Sequence, residues 1–422
     1  RSPSRGLGDV YKRQPLYSTL HPEPLSINTE AECRIAAEEF LRKGMVVIRL
    51  LTREQTEDLI IEQWTNIIDK QPYLPEYKIA HPDPVSERAR FLEFALKSNL
   101  SAQELQRRKF GWPLHVGFGA CCDHASFHSQ LIWDIRQHRG ASTFARMALG
   151  REDIWVDINR SIQKLPGEGE KEMLHWDFNA FDPANTVEGT PPRALSGRVG
   201  YNAFSTILAP GSHQPAFFRR FQQEYAQYYP HLSNPGAKNV KVGLDIEKPD
   251  PMNLFGDHER GIPSSWAYSV SVDAGCWLVW DERVLHGVVP NERNGPTQYG
   301  MYLGYFPAGN KPRYETIADV SEMEDRMDAY VFGKRPKLWP SLDRTSYMPR
   351  RFYNFPRIVE ARMARMPADD PTIAWRTTPS GRRAPSFEEG DPDPAYTPPE
   401  LNSNGWRLLC GEPGHGYARP SS

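Results

Sequence analysis

Near the start of the chain, apolar positions recur as they do on one face of a helix. Ala36, Phe40 and Leu41 follow this spacing, and Gly44 comes next as a helix stop. Residues 46–51 then form a short run rich in Val and Ile, which is typical of a strand. The pattern therefore predicts a helix that ends at the glycine and leads directly into a strand.

Helical patterns continue after this strand. Thr52 and Gln55 have the spacing of a capping box ahead of an apolar run, which predicts the start of a second helix. Residues 70–150 are mostly helical in pattern with polar loops, and residues 127–149 contain the clearest pair of short helices. We interpret residues 70–150 as a helical insertion in a larger domain.

From residue 154 onward the pattern changes to short aromatic and β-branched runs bounded by Gly, Pro and Asn. The six runs are IWVDINRSIQKL, MLHWDFNAF, RVGYNAFSTILA, WAYSVSV, CWLVWDERVLHGVV and QYGMYLGYF. Runs of this kind favour an antiparallel sandwich or jelly roll. The predicted fold class is therefore mainly β with flanking helices.

The two ends of the chain differ from this central region. Residues 1–14, RSPSRGLGDVYKRQ, lack an initiator Met and an apolar segment, and we interpret them as a non-native leader. Of the 38 prolines, 14 fall within residues 331–422. We therefore predict a core domain over residues 15–310 and a Pro-rich C-terminal extension over residues 311–422 that wraps the core.

Charge and cysteine content limit the functional classes. The chain has 51 Lys and Arg against 53 Asp and Glu, so its net charge of −2 offers no basic surface for nucleic acid or an anionic membrane. No apolar run approaches the roughly 20 residues of a membrane-spanning helix. The five cysteines include no CxxC pair, which favours a reduced, cytoplasmic location. We expect a small-molecule substrate.

The chemistry is concentrated in a His-x-Asp motif. His175 and Asp177 flank Trp176 in a strand-like run, so both are expected on one face of the strand. His286, at the end of a later strand-like run, is the best second histidine. Two imidazoles and one carboxylate with open positions are the ligands of non-haem Fe(II) oxygenases. The alternatives are a polar pair on an exposed strand and a core histidine.

A second copy of the motif shows how weak it is alone. His81 and Asp83 flank Pro82 in a segment that is typical of a loop. Only His175 follows a Gly-rich turn into a strand and has a later strand-like run that ends in a histidine. Context, rather than the spacing itself, therefore favours His175.

The chain resembles the phytanoyl-CoA dioxygenase family of Fe(II)/2-oxoglutarate oxygenases. The segments that carry the resemblance are GMVVIRLLTREQTEDL, MLHWDFN, APGSH and GCWLVWDERVLHGVVPN, within residues 30–310. The resemblance implies a double-stranded β-helix, a cupin-like jelly roll, with His175, Asp177 and His286 as metal ligands. It also implies Fe(II), 2-oxoglutarate and O2 as cofactor and co-substrates. The implied activity is hydroxylation of a small or lipid-like metabolite, with release of succinate and CO2.

The chain departs from the family where 2-oxoglutarate is held. Similar proteins have an Arg near the start of the strand after the distal His, and the matching residue here is Gln298. Arg293 in the preceding loop, or another basic residue, is then expected to bind the far carboxylate. Arg283, three residues before His286, is expected to form a structural ion pair instead.

Two amides precede the metal motif. Asn159 and Gln163 are four residues apart in one strand-like run, so they are expected to share a face. Relatives with similar spacing use amides to hold the chelating end of 2-oxoglutarate, and the resemblance extends this role to both residues. Ordinary strand polarity facing solvent is the alternative.

The missing arginine keeps a second function open. A jelly-roll metalloprotein could bind Zn or Fe at the same three ligands without 2-oxoglutarate chemistry. A non-catalytic protein that retains the fold is a third possibility, since a fold does not determine a function. Formation of succinate separates the first function from the other two.

Overall fold

The structure is a computed structural model that describes most of the predicted core domain. The described residues are 18–65, 81–97, 128–159, 161–164, 166, 173–176, 180–181, 183–225, 267–289, 291–292, 294–308, 322–331, 375–377, 383–385 and 397–411. For a few of them, including residues 173–175, only the backbone is described.

The described elements are short strands with helices on either side of them in the chain. In chain order the strands are β1 (Ser18–Leu20), β2 (Met45–Arg49), β3 (Ile154–Val156), β4 (Ser161–Lys164), β5 (Met173–His175), β6 (Leu195–Gly200), β7 (Phe204–Leu208), β8 (Tyr268–Val272), β9 (Cys276–Asp281), β10 (His286–Val288), β11 (Gln298–Tyr302), β12 (Tyr305–Pro307), β13 (Trp375–Thr377) and β14 (Arg383–Pro385). The helices are α1 (Glu30–Lys43), α2 (Arg53–Gln63), α3 (Arg88–Leu96), α4 (Gln130–Arg136), α5 (Arg139–Leu149), α6 (Pro215–Tyr225), α7 (Glu322–Val331) and α8 (Ser403–Cys410).

Two sheets form the centre of the molecule. The five-stranded sheet has the order β1-β8-β7-β10-β5, and the seven-stranded sheet has the order β2-β9-β6-β11-β4, with β12 and β3 attached beside β6. Apart from the parallel pair β1 and β8, the strand pairs of these sheets are antiparallel. The described chain is thus rich in sheet, as predicted, while the closer description as a double-stranded β-helix stays a prediction.

The sheets pack face to face around an apolar interior. One buried cluster joins side chains of β2 and β9 to side chains of β7 and β8; it comprises Met45, Val47, Phe204, Leu208, Val270, Val272, Cys276, Leu278, Trp280 and Val284. Helices α1, α2, α4 and α5 cover the outer face of the seven-stranded sheet, and α6 covers the outer face of the five-stranded sheet. Both sheets are therefore buried on two sides.

The N-terminal elements follow the sequence pattern closely. Helix α1 ends at Gly44, whose positive φ of 77° gives the left-handed turn into β2. Thr52 caps α2, and both hydrogen bonds of the predicted capping box with Gln55 are present. The helical face was wrong at one position, because Leu41 is exposed while Phe40 is buried.

The long β runs are divided differently from the prediction. Four of the six runs each contain two strands with a tight connection between them. In two of these runs, β6 to β7 and β9 to β10, the chain passes from the seven-stranded sheet to the five-stranded sheet. His286 therefore begins β10, and the prediction that it ends one long strand was wrong. The sequence does not show such a crossing, because the strands before and after it are both buried and the apolar pattern continues through the turn.

Described parts of the C-terminal region contact the core domain. Arg326 of α7 donates hydrogen bonds to the carbonyl oxygens of Val156, Leu408 and Leu409, at 2.7 to 2.9 Å. The ring of Tyr330 lies edge-on to that of Trp133 of α4, at 5.5 Å between ring centroids. These contacts join α7 and α8 to β3 and α4, while the predicted domain boundaries stay predictions.

Candidate metal and carboxylate site

Two histidine positions meet across neighbouring strands of the five-stranded sheet. Strand β10 pairs with β5 in a register that places His286 directly opposite His175. On its other side, His286 is directly opposite Leu208, which belongs to the interior cluster. Opposed positions of an antiparallel pair lie on the same face. The positions of both histidines therefore share the face toward the interior.

The ring of His286 is buried and held in one orientation. It is 7% exposed, it lies 5.2 Å from the ring of Trp280, and its Nδ1 lies 3.0 Å from the carbonyl oxygen of Val284. Because a carbonyl oxygen only accepts hydrogen bonds, this contact requires a proton on Nδ1. In a neutral imidazole, Nε2 then carries the lone pair with which histidine binds metals.

Trp176 lies on the opposite face of its strand region. Its ring packs against Phe218 and Phe221 of α6 on the outer side of the sheet, and its Nε1 donates to the carbonyl oxygen of Arg283 at 2.9 Å. This is the alternation that a strand carrying the His-Trp-Asp sequence requires if the histidine is to face inward. Trp176 itself is therefore core packing.

Other predicted ligands fall where the structure gives no description. Asp177 and Arg293 lie outside the described residues, as does the side chain of His175. Among the described side chains, no group of three or more His, Cys, Asp and Glu is positioned to hold a metal ion. The complete ligand set therefore stays a prediction.

A functional candidate that the sequence analysis missed is Arg198, on β6. Its guanidinium is 7% exposed in the interior, 4.2 Å from the ring of Phe204 of β7. One terminal nitrogen donates to Oε1 of Gln298 at 3.2 Å, and Nε is buried with no hydrogen-bond partner among the residues that the structure describes. The only signal in the sequence is a charged residue inside an otherwise apolar strand pattern, which does not reveal the strand that becomes its neighbour.

Both ends of the Gln298 amide are hydrogen-bonded to protein side chains. Its Oε1 accepts from Arg198, and its Nε2 donates to Oδ1 of Asn291 at 3.3 Å. Asn291 in turn donates to the carbonyl oxygens of Lys164 and Pro296, at 3.1 and 2.9 Å. The structure therefore places the Arg198 guanidinium beside Gln298, the position where similar proteins have an arginine. The amide of Gln298 orients that guanidinium.

The two amides before the metal motif do not share a site with Gln298. Asn159 lies beyond the end of β3 and donates to Oδ2 of Asp157 at 3.0 Å, whereas Gln163 belongs to β4. Gln163 is directly opposite Tyr299, which contacts the outer helices, and Lys164 is directly opposite Gln298. Neighbouring residues of a strand point to opposite faces. Gln163 is therefore on the helix-covered face, which corrects the expectation that Asn159 and Gln163 lie on one face of a single strand.

The expected ion pair of Arg283 is present. Its guanidinium donates to both carboxylate oxygens of Asp281, at 2.7 to 3.2 Å, and its remaining nitrogen donates to the carbonyl oxygen of Thr190 at 3.0 Å. Both charged side chains are almost completely buried. This pair fixes the turn that leads from β9 into His286.

The second His-x-Asp copy has a local structural role. Oδ1 of Asp83 accepts hydrogen bonds from the backbone N–H groups of Val85 and Ser86, at 2.9 and 2.7 Å. These bonds close the turn ahead of α3. Neither His81 nor Asp83 is buried. The loop predicted for this copy is confirmed.

Comparison with known proteins finds only distant structural similarity. No family model matches the sequence, and no curated protein sequence matches it at a significant level. Among solved structures, the non-haem alpha-ketoglutarate-dependent epimerase SnoN from nogalamycin biosynthesis is 14% identical, with a TM-score of 0.37 over 66% of this chain and 85% of that chain. The non-haem monooxygenase ThoJ, in a nickel complex, is 15% identical, with a TM-score of 0.35 over 78% and 98%. Similarity at this level is too weak to indicate a function.

The described helices were also compared with the dimensions of a bilayer. None of them is both long enough and apolar enough to span a membrane.

Proposed function

We propose that this protein is a non-haem Fe(II)- and 2-oxoglutarate-dependent dioxygenase. The observation that carries the proposal is the register that opposes His286 to His175 on the interior face of the sheet. Asp177 would complete the ligand set, because residues two apart in a strand share a face. Two imidazoles and a carboxylate suit ferrous iron and leave positions for a co-substrate.

The chain's own residues would bind and orient the reacting groups. The contact between His286 and the carbonyl oxygen of Val284 favours the tautomer that a metal ligand needs. Trp280 packs against the same ring and keeps water from that side of it. Bound Fe(II), with 2-oxoglutarate and O2, would supply the oxidation of the substrate and release succinate and CO2. We propose hydroxylation of a small or lipid-like metabolite in the cytoplasm.

Anaerobic reconstitution with Fe(II) tests this proposal without knowledge of the substrate. Wild-type protein should bind one Fe(II) and develop a visible charge-transfer band when 2-oxoglutarate is added. His286→Ala should lose the band and weaken Fe(II) binding by more than about 100-fold, since loss of a ligand costs more than loss of a group that merely orients one. Circular dichroism of each variant reports whether the fold is retained.

His81→Ala is the matched control, because it removes a histidine from the other His-x-Asp copy. This variant should keep both the band and the Fe(II) affinity of the wild type. An unchanged band in His286→Ala would contradict the proposed ligand set. Metal binding without a band or succinate would instead favour a metalloprotein that does not use 2-oxoglutarate.

A further inference from the structure

In the part of the chain that the structure describes, a positive charge is buried in the interior of the sandwich without a counter-charge. Among the described residues, the guanidinium of Arg198 makes one hydrogen bond, to the neutral amide of Gln298, and its Nε makes none. No described carboxylate forms an ion pair with it. Buried arginines are ordinarily paired with an acid or saturated with hydrogen bonds, because removing a charge from water is costly.

The surroundings of Arg198 do not relieve this cost. The face of the Phe204 ring contributes an attraction that is small beside the hydration of an ion. Desolvation accordingly lowers the pKa of Arg198 to about 10. An anion that reached the guanidinium would recover part of this lost free energy on binding.

Two glycines allow close packing around the guanidinium. Gly200 of β6 and Gly300 of β11 are directly opposite one another, on the face that carries Arg198 and Gln298. A Cβ atom at Gly200 would come within 2.4 Å of the Phe204 ring, and a Cβ atom at Gly300 within 2.4 Å of the carbonyl oxygen of Val199. The Arg198 side chain reaches Gln298 past these two positions because neither carries a side chain.

The interior side chains around this space favour an anion. Lys164, directly opposite Gln298 on β4, places a second buried cation on the same face, and its ammonium group contacts the carbonyl oxygen of Val289. Gln298 is only half-buried, so this end of the interior remains accessible to solvent. The two cations on this face would therefore attract a small anion.

We infer that Arg198 binds the far carboxylate of 2-oxoglutarate and that Gln298 is a positioning residue that orients its guanidinium. The inference rests on the proposed function for the identity of the co-substrate. It places the cation on β6, the strand paired with the β11 strand of Gln298, and gives no role to Arg293. A planar guanidinium with an unused Nε–H donor matches a carboxylate in both charge and geometry.

The spacing along β7 agrees with this arrangement. Phe204, which contacts the guanidinium, and Leu208, which is directly opposite His286, are four residues apart on the interior face. Four residues of a strand span about 13 Å. A short dicarboxylate that chelated a metal at the histidines would extend from one end of this stretch toward the other.

Binding of three acids separates the two ends of the ligand. 2-Oxoglutarate has a chelating keto acid and a far carboxylate, pyruvate has only the keto acid, and glutarate has two carboxylates but no keto group. Calorimetric titrations would use the full chain, metal-free and loaded with redox-inert Zn²⁺. Arg198→Met should weaken 2-oxoglutarate binding by about 30-fold or more, since a buried charged contact is lost. Its pyruvate affinity should match that of the wild type.

Two further variants guard against loss of the fold. Arg49→Met removes an exposed arginine from the same sheet and should leave all three affinities unchanged. The exchange Arg198→Gln with Gln298→Arg moves the cation to β11 and should restore at least part of the 2-oxoglutarate affinity. Thermal unfolding without ligand should show Arg198→Met to be at least as stable as the wild type. If Arg198 had a purely structural role, its replacement would instead lower the unfolding temperature.

The possible outcomes distinguish this inference from the proposed function. Wild-type 2-oxoglutarate affinity in Arg198→Met would overturn the inference, as would equal losses of 2-oxoglutarate and pyruvate binding. Glutarate binding by the metal-free protein that depends on Arg198, together with failure to bind Fe(II), would support the carboxylate site and overturn the dioxygenase. Absence of any dicarboxylate binding to the wild type would overturn the inference.

Discussion

Two buried arginines of this protein differ in how far their charge is compensated. At the turn from β9 to β10, Arg283 makes a closed ion pair with Asp281 and saturates its last nitrogen on the carbonyl oxygen of Thr190. In the interior between the sheets, the partners of Arg198 among the described residues are a neutral amide and an aromatic ring, and none of those residues bonds to its Nε. Burial is similar at the two sites, while the compensation of charge is not.

The difference separates a structural arginine from one that is available to a ligand. A closed pair such as that of Arg283 satisfies itself and holds the backbone that positions His286. An open cation such as Arg198 carries a cost in the unliganded fold that a bound anion reduces. The presence of charge in a core therefore says less about function than the completeness of its pairing.

Breaking the closed pair should have the largest effect. Asp281→Asn leaves the charge of Arg283 buried without its counter-charge, and the free energy of unfolding should fall by about 3–5 kcal/mol. Chemical denaturation would measure this loss. Asp153→Asn, which breaks the exposed pair with Arg151, is the control and should change stability by less than about 1 kcal/mol. Equal losses in both variants would refute the distinction between closed and exposed pairs.

Closing the open site should have a smaller effect of opposite sign. Gln298→Glu places a carboxylate where an amide now accepts from Arg198 but loses the donation to Asn291, so the free energy of unfolding should rise by only about 1 kcal/mol. The same change should abolish 2-oxoglutarate binding, because the internal carboxylate occupies the cation. Thermal unfolding and calorimetry would check both effects. Gln298→Leu, which supplies no charge, should not stabilise the fold, and a gain in stability there would contradict this account.

The smallest effect concerns His138, a half-buried base that is neutral in the folded protein. Nδ1 of His138 accepts from the backbone N–H of Ala141 at the start of α5, and burial lowers the pKa of His138 below its usual 6.5. The unfolded chain therefore takes up a proton first, and stability should fall as the pH drops below 6.5. His138→Asn keeps a capping side chain without titration and should reduce this acid sensitivity. Unfolding midpoints at pH 8 and pH 5 would show it; parallel pH profiles would argue against it.

The sequence predicted local elements better than their arrangement. The capping box of Thr52 and the glycine stop at Gly44 were confirmed, because both depend on residues a few positions apart. The division of one run into β9 and β10 was not predicted, since a turn between two buried strands leaves the apolar pattern unbroken. The expectation that Asn159 and Gln163 lie on one strand was wrong for the same reason, because their run forms two strands rather than one.

What the sequence determined by itself is the local elements, and from their residues it predicts a kind of chemistry. The His-Trp-Asp motif, the histidine of a later run and the short β-rich segments indicate an oxygenase-like metal site in a sheet-rich fold. Only the tertiary structure decided that His286 is opposite His175 and that Arg198 lies beside Gln298. The physical reason is that strand register and the crossing between sheets depend on contacts between residues far apart in the chain, and local spacing does not encode these contacts.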